Sequence, residues 1–178
     1  MRANPDSASR PGPAGPLDDL LLYRLNRLLA TAGSMVIRLC EGSFGITRRE
    51  WRVIALLAQN DGLLSSQLAQ GVQLDRARTS KAITSLVGKK LVHRQTGPGD
   101  QRQTTVAITD AGRALYDGLY PMVLQINREL LACLPAASAA TLDTALDALQ
   151  QRAEELVAKA DLPKADRRRG GRTRQRMG

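Results

Sequence analysis

The sequence predicts a mainly α protein with a small β-wing, a winged helix-turn-helix domain carried on a helical dimerisation base. Three observations predict it. Residues 62–109 run as short helix, turn, polar helix, strand, Gly-Pro-Gly tip and strand. Leu and Ala dominate, and Tyr23, Phe44, Trp51, Tyr116 and Tyr120 are the only aromatics, so the core is expected to be helix on helix. The last helical stretch keeps a leucine seam longer than a small monomer needs, which points to a helical partner, most simply a second copy. The competing reading is packing of that seam against residues 17–41 of the same chain.

Each element follows from its local pattern. Residues 1–16 hold Pro5, Pro11, Pro13 and Pro16 with Gly12 and Gly15, have little to bury, and are expected to be a disordered arm. Leu17, Leu21, Leu25, Leu28, Ala32, Met35 and Leu39 step by three or four, predicting a helix over 17–41. Gly42-Ser43-Phe44-Gly45 interrupts it. Thr47 with Glu50 three residues on is a capping box, opening a helix to about Gln59 that buries Trp51, Ile54, Ala55, Leu57 and Ala58. Asn60-Asp61-Gly62 ends it.

A short helix over about 65–70 buries Leu68 and Ala69, with Gly71 expected to permit the tight turn. Asp75 caps the next helix, 76–90, where Thr79, Ile83, Leu86 and Val87 share one face and Arg78, Lys81 and Ser85 the opposite one. Two strands, Leu91–Arg94 and Thr104–Thr109, flank the tip at 97–102. From Asp110, Leu115, Leu119, Met122, Ile126 and Leu130 predict a long helix that Pro121 should kink or divide. After Leu134-Pro135, Ser138 is the expected cap of a final helix with Leu142, Leu146, Leu149, Ala153 and Leu156 in heptad rhythm.

The chain of 178 residues carries a net charge of +9, which favours an anionic partner. That charge is uneven. Lys164–Gly178 has seven basic residues against Asp166, a net +6, so residues 1–163 hold only +3. Residues 159–178 are therefore expected to be a basic disordered tail. Cys40 and Cys133 are too few for a disulfide framework and fit a reducing cytoplasm; no apolar run is long enough for a membrane span.

The order of elements over 62–109 implies double-stranded DNA as the partner. A major groove admits one helix and exposes base edges to polar side chains, and the outward residues of 76–90 are of that kind. The expected DNA-contacting set is Ser65, Ser66, Arg76, Arg78, Thr79, Lys81, Ser85 and Lys89, with Asp100 and Arg102 on the wing. Arg102 suits a narrow minor groove. Asp100 would repel phosphate, and its expected task is to orient Arg102 by an ion pair. Plain solvation is the general alternative for a polar helix face.

Asp100-Gln101-Arg102 followed by Thr105-Val106-Ala107-Ile108-Thr109 resembles the wing signature of the MarR family, and Asp110-Ala111-Gly112, Leu68-Ala69 and Lys90-Leu91-Val92 match it too. The resemblance covers about 17–158, with the winged domain at about 47–109. It implies an obligate homodimer based on the first and last helices (about 17–41 and 110–158) that reads a palindromic operator, more commonly as a repressor. Gly45-Ile46-Thr47-Arg48-Arg49-Glu50-Trp51-Arg52 resembles members that control aromatic-acid catabolism. The implied effector is a small aromatic carboxylic acid bound between the base and the winged domain. Trp51 is the expected wall, Arg38, Arg48 or Arg52 the carboxylate partner, and Tyr23 a further lining residue. In the alternative, Trp51 is core and the arginines are solvated.

Other functions find less support. A redox regulator would need a reactive thiol near the start of the first helix, whereas Cys40 lies at its end, where the helix dipole disfavours a thiolate. A sequence-tolerant architectural protein would bind through the wing and tail. His93 is the only histidine and has no partner at metal-ligand spacing, so it is expected to pack at its strand. No phosphate loop or nucleophile motif is present, and neither enzymatic activity nor a cofactor or metal is expected.

Overall fold

The computed structural model describes residues 16–60, 62–96 and 104–162, in two units that divide after Ala132. The Asp100 and Arg102 expectations, most of the N-terminal arm and all but the first few residues of the tail lie outside the described residues. After a 3-10 turn at Leu17–Asp19, the first unit contains α1 (Leu21–Ser43), α2 (Arg48–Gln59), β1 (Leu63–Leu64), α3 (Ser65–Gly71), α4 (Arg76–Gly88), β2 (Val92–Thr96), β3 (Thr104–Ile108) and α5 (Asp110–Leu131). The second contains α6 (Ala136–Lys159). The result is a mostly helical chain with a three-stranded antiparallel sheet in the order β1-β3-β2.

α2 is the hub of the first unit, touching α1, α3, α4, α5 and β3. Its interior residues Trp51, Val53, Ile54 and Leu57 join Ile46, Leu68, Ile83, Leu86, Val106 and Leu119 in one apolar cluster. Both ends of α2 are tied. At the start, the Thr47 hydroxyl accepts from the Glu50 amide at 3.2 Å while the Glu50 carboxylate accepts from the Thr47 amide at 2.6 Å, so the expected capping box is present. At the finish, Arg113 of α5 donates to the Ala58 carbonyl at 2.6 Å, a cation placed where the helix dipole is negative.

Several boundaries differ from expectation for identifiable reasons. β1 adds a third strand, because Leu63 and Leu64 pair with Val106 and Thr105 of β3. Gly71 stays helical and Gln73 takes the left-handed conformation (φ 52°) that makes the turn. A Cβ at Gly71 would lie 2.5 Å from a terminal methyl of Leu56, so a larger residue there requires that side chain to move. Pro121 does not end α5, which is assigned without interruption through it. Proline removes its own N–H bond to residue 117 and crowds that carbonyl, and both positions are exposed to water. Ser138 is not the last cap: α6 begins at Ala136, with Pro135 before it and Ser138 inside the first turn.

Gly112 shows how tightly α5 starts against the wing. A Cβ there would sit 2.1 Å from the Leu91 carbonyl oxygen. The Thr109 side chain fastens the same junction, donating to the Lys90 carbonyl at 2.9 Å and accepting from the Gly112 amide at 3.0 Å.

Candidate nucleic-acid interface and adjoining cavity

Asp75 fixes the start of α4, its carboxylate accepting from the Arg78 amide at 2.8 Å. Its second oxygen lies 3.3 Å from Arg78 Nε, which orients that guanidinium while leaving it 58% exposed. Lys81 and Arg76 are also exposed on α4, and Ser65 and Ser66 are exposed at the start of α3. Arg78, Lys81 and Ser85 meet Thr47, Arg49 and Glu50 of the α2 start around a cleft of about 140 Å³. Arg49 was missed by the sequence reading. The signal was available, since the capping box places it in the first turn of α2 beside this face.

Two expected DNA contacts are corrected. Thr79 is 1% exposed and donates its hydroxyl to the Asp75 carbonyl at 2.9 Å, so it belongs to the core side of α4. Lys89, 36% exposed, is committed to partners within the protein: its Nζ donates to the Glu50 carboxylate at 2.9 and 3.1 Å and to the Gly45 carbonyl at 2.8 Å. Ser85 lines the cleft and lies close enough to the Glu50 carboxylate to help stabilise its charge. Burial pushes the Glu50 carboxyl up. The hydrogen bonds from Ser85 and the Thr47 amide, with the Lys89 ammonium, outweigh this and hold it below its ordinary value.

On the other side of α2 lies a larger cavity of about 570 Å³. Leu25, Leu28, Leu29 and Val36 of α1 and Ile126 and Leu130 of α5 give it an apolar lining, while Trp51, Arg48 and Arg52 face it from α2. Trp51 lines this cavity and also belongs to the core. It is 7% exposed and stacks on Tyr116 with centroids 5.6 Å apart, followed by Tyr120 at 5.2 Å from Tyr116. Gly33 opposite Arg48 leaves room for it, since a Cβ there would be 2.8 Å from Arg48 Nη1.

No carboxylate pairs with Arg48 or Arg52 among the described residues. Burial, then the positive charge of Arg48, push the Arg52 guanidinium down from its ordinary value. Arg38 lines a separate, more open depression with Met35 and Glu41, and does not reach the Trp51 cavity. Tyr23 is not in the cavity lining either: the Arg27 guanidinium lies 5.9 Å from its ring centre.

Cys40 is fully buried, and burial followed by the nearby Glu41 raises its thiol pKa, the opposite of a reactive thiolate. His93 does not pack into the sheet as expected. It is exposed, with a ring nitrogen 2.7 Å from the Gln95 amide nitrogen. Among the described residues no three His, Cys, Asp or Glu side chains gather as metal ligands, and no helix is long and apolar enough to cross a membrane.

Residues 44–103, the span from the start of α2 to the wing, match the model of the MarR family. The chain is 26% identical over 136 residues to a transcriptional regulatory protein named for the hcr operon of Thauera aromatica, covering 76% of this chain and 82% of that one. Among solved structures, a MarR/EmrR family transcriptional regulator from Acinetobacter superposes with a TM-score of 0.73 at 21% identity, over 79% of this chain and 99% of the other. Bordetella bronchiseptica BpsR, whose DNA binding is regulated by 6-hydroxynicotinic acid, superposes with a TM-score of 0.71 at 21% identity, over 78% and 98%.

Proposed function

We propose that this chain is a MarR-family transcriptional regulator, a homodimeric repressor that reads a palindromic operator and releases it on binding a small aromatic carboxylic acid. α4 enters the major groove with Arg78 and Lys81 toward the bases, and Arg76, Ser65, Ser66 and Arg49 hold flanking phosphates. Arg102 of the wing reaches the minor groove, steadied by Asp100.

The observation that carries the ligand assignment is the pair Arg48 and Arg52, facing a Trp51-walled cavity without a carboxylate partner among the described residues. Two like charges at an apolar wall are relieved by an anion, and a planar apolar body suits the remaining lining. A volume of about 570 Å³ accommodates a single-ring acid. Regulation of the Bordetella relative by an aromatic acid supports the same chemistry.

The test is a titration of operator complexes with a panel of benzoic, hydroxybenzoic and hydroxynicotinic acids. One or more of them should release DNA and change Trp51 fluorescence together, and Arg52→Ala should weaken that acid at least tenfold while leaving ligand-free DNA binding intact. Unchanged DNA affinity and fluorescence across the panel at millimolar acid would reject this effector class.

A further inference from the structure

Lys89, one of the expected DNA-contacting residues, is paired within the protein although its side chain stays 36% exposed. Lys89 stands at the carboxyl end of α4, where the helix dipole favours a cation, and Glu50 stands in the first turn of α2, where it favours an anion. Glu50 has 3% of its side chain exposed, and it also closes the α2 capping box. The Nζ of Lys89 reaches both carboxylate oxygens and the carbonyl of Gly45, whose left-handed conformation (φ +63°) leads the chain into α2. Two donors therefore converge on one buried carboxylate, the Thr47 amide and Lys89, with the Ser85 hydroxyl beside them. Lys89 and Ser85 come from the same end of α4, one turn apart. Ser85 also lines the cleft that holds Arg78 and Lys81.

We infer that Glu50 and Lys89 are positioning residues of the DNA interface, an ion pair on a buried carboxylate that fixes α4 to the first turn of α2 so that Arg78 and Lys81 meet base edges in register. The inference rests on reading α4 as the helix that enters the groove. Neither residue touches DNA in this arrangement. Apolar packing between helices is non-directional, and it permits small rotations that a bidentate, charge-assisted pair does not. α2 carries the Trp51 cavity on its other side, so the pair lies between that cavity and the DNA-facing residues of α4.

The experiment is a double-mutant cycle on the full-length protein with Glu50→Gln and Lys89→Met, reading operator and scrambled-duplex affinity at several salt concentrations alongside thermal unfolding. Glutamine keeps the size of Glu50 and an acceptor for the Thr47 amide, and Lys89 is partly exposed, so each variant offers its own route to a folded protein. A positioning pair predicts that each single variant lowers the ratio of operator to scrambled affinity about tenfold, that the double variant loses little more than either alone, and that the salt dependence is unchanged. A phosphate-contacting Lys89 predicts instead an equal loss on both duplexes, a shallower salt slope and an unaffected Glu50→Gln protein. A pair that serves stability alone predicts a lowered melting temperature with an unchanged affinity ratio. Either result overturns the inference. If the wild-type protein itself shows no duplex preference, the reading of α4 fails first, and this is visible without any variant.

Discussion

Single side chains of this protein change role according to which face of a helix they occupy. Glu50 is one residue from Trp51, yet it faces α4 while Trp51 faces the aromatic stack and the cavity. Its carboxyl is held below its ordinary value, so its contribution to stability is present above the ordinary carboxylate range and lost as pH falls through the depressed value. Glu50→Gln should therefore flatten the acid limb of a stability–pH curve between those values, followed by urea unfolding; an unaltered limb would contradict the assignment. Gly112→Ala should cost about 3 kcal/mol, because the added methyl meets backbone, the Leu91 carbonyl, instead of a movable side chain. Sequence alone made Asp75 and the Thr47–Glu50 box legible, since capping depends on neighbours in the chain. It misassigned Thr79 and Lys89, whose roles are set by a backbone acceptor and a carboxylate that only the fold identifies. Thr79 also sat on the apolar face of the helical pattern, and that periodicity was the better guide.

At the scale of elements, regular spacing carried far and short or context-dependent pieces did not. α1, α2, α4 and α5 follow from their apolar periodicity, whereas β1 is two residues long and exists only because β3 offers it an edge. Pro121, expected to kink or divide α5, does not interrupt it, and the residue-117 carbonyl that loses its donor belongs to an exposed residue. Replacing Pro121 with Ala should stabilise the protein by about 1–3 kcal/mol in chemical denaturation; a loss of stability would show that the proline is itself required for packing. Removing the α2 cap is the converse case. Thr47→Ala should cost about 1 kcal/mol and also weaken operator binding, since the same capping box holds Glu50 beside Lys89.

For the whole molecule, charge and exposed apolar surface make separate predictions. The C-terminal residues 164–178 hold +6 of the +9 net charge, so deleting 163–178 should reduce affinity for all duplexes and flatten its salt dependence while the operator preference persists. Loss of the preference would favour a sequence-tolerant binder. In the first unit α1 exposes Leu21, Leu22, Leu28 and Leu29, and in the second α6 exposes Leu142, Leu146, Leu149 and Leu156. Apolar stripes of this extent are expected to be covered by a second copy, and light scattering should give twice the 19.3 kDa chain mass. The cavity was legible only in part: Trp51, Arg48 and Arg52 sit close together in sequence on one helix, whereas the exclusion of Arg38 and Tyr23 depends on where α1 crosses α2. The account as a whole turns on whether α4 discriminates among sequences. Duplexes selected from random DNA should be bound, at physiological salt, at least about 10³-fold more tightly than scrambled duplexes of the same length. Equal affinity for the two, falling together as salt rises, would contradict it.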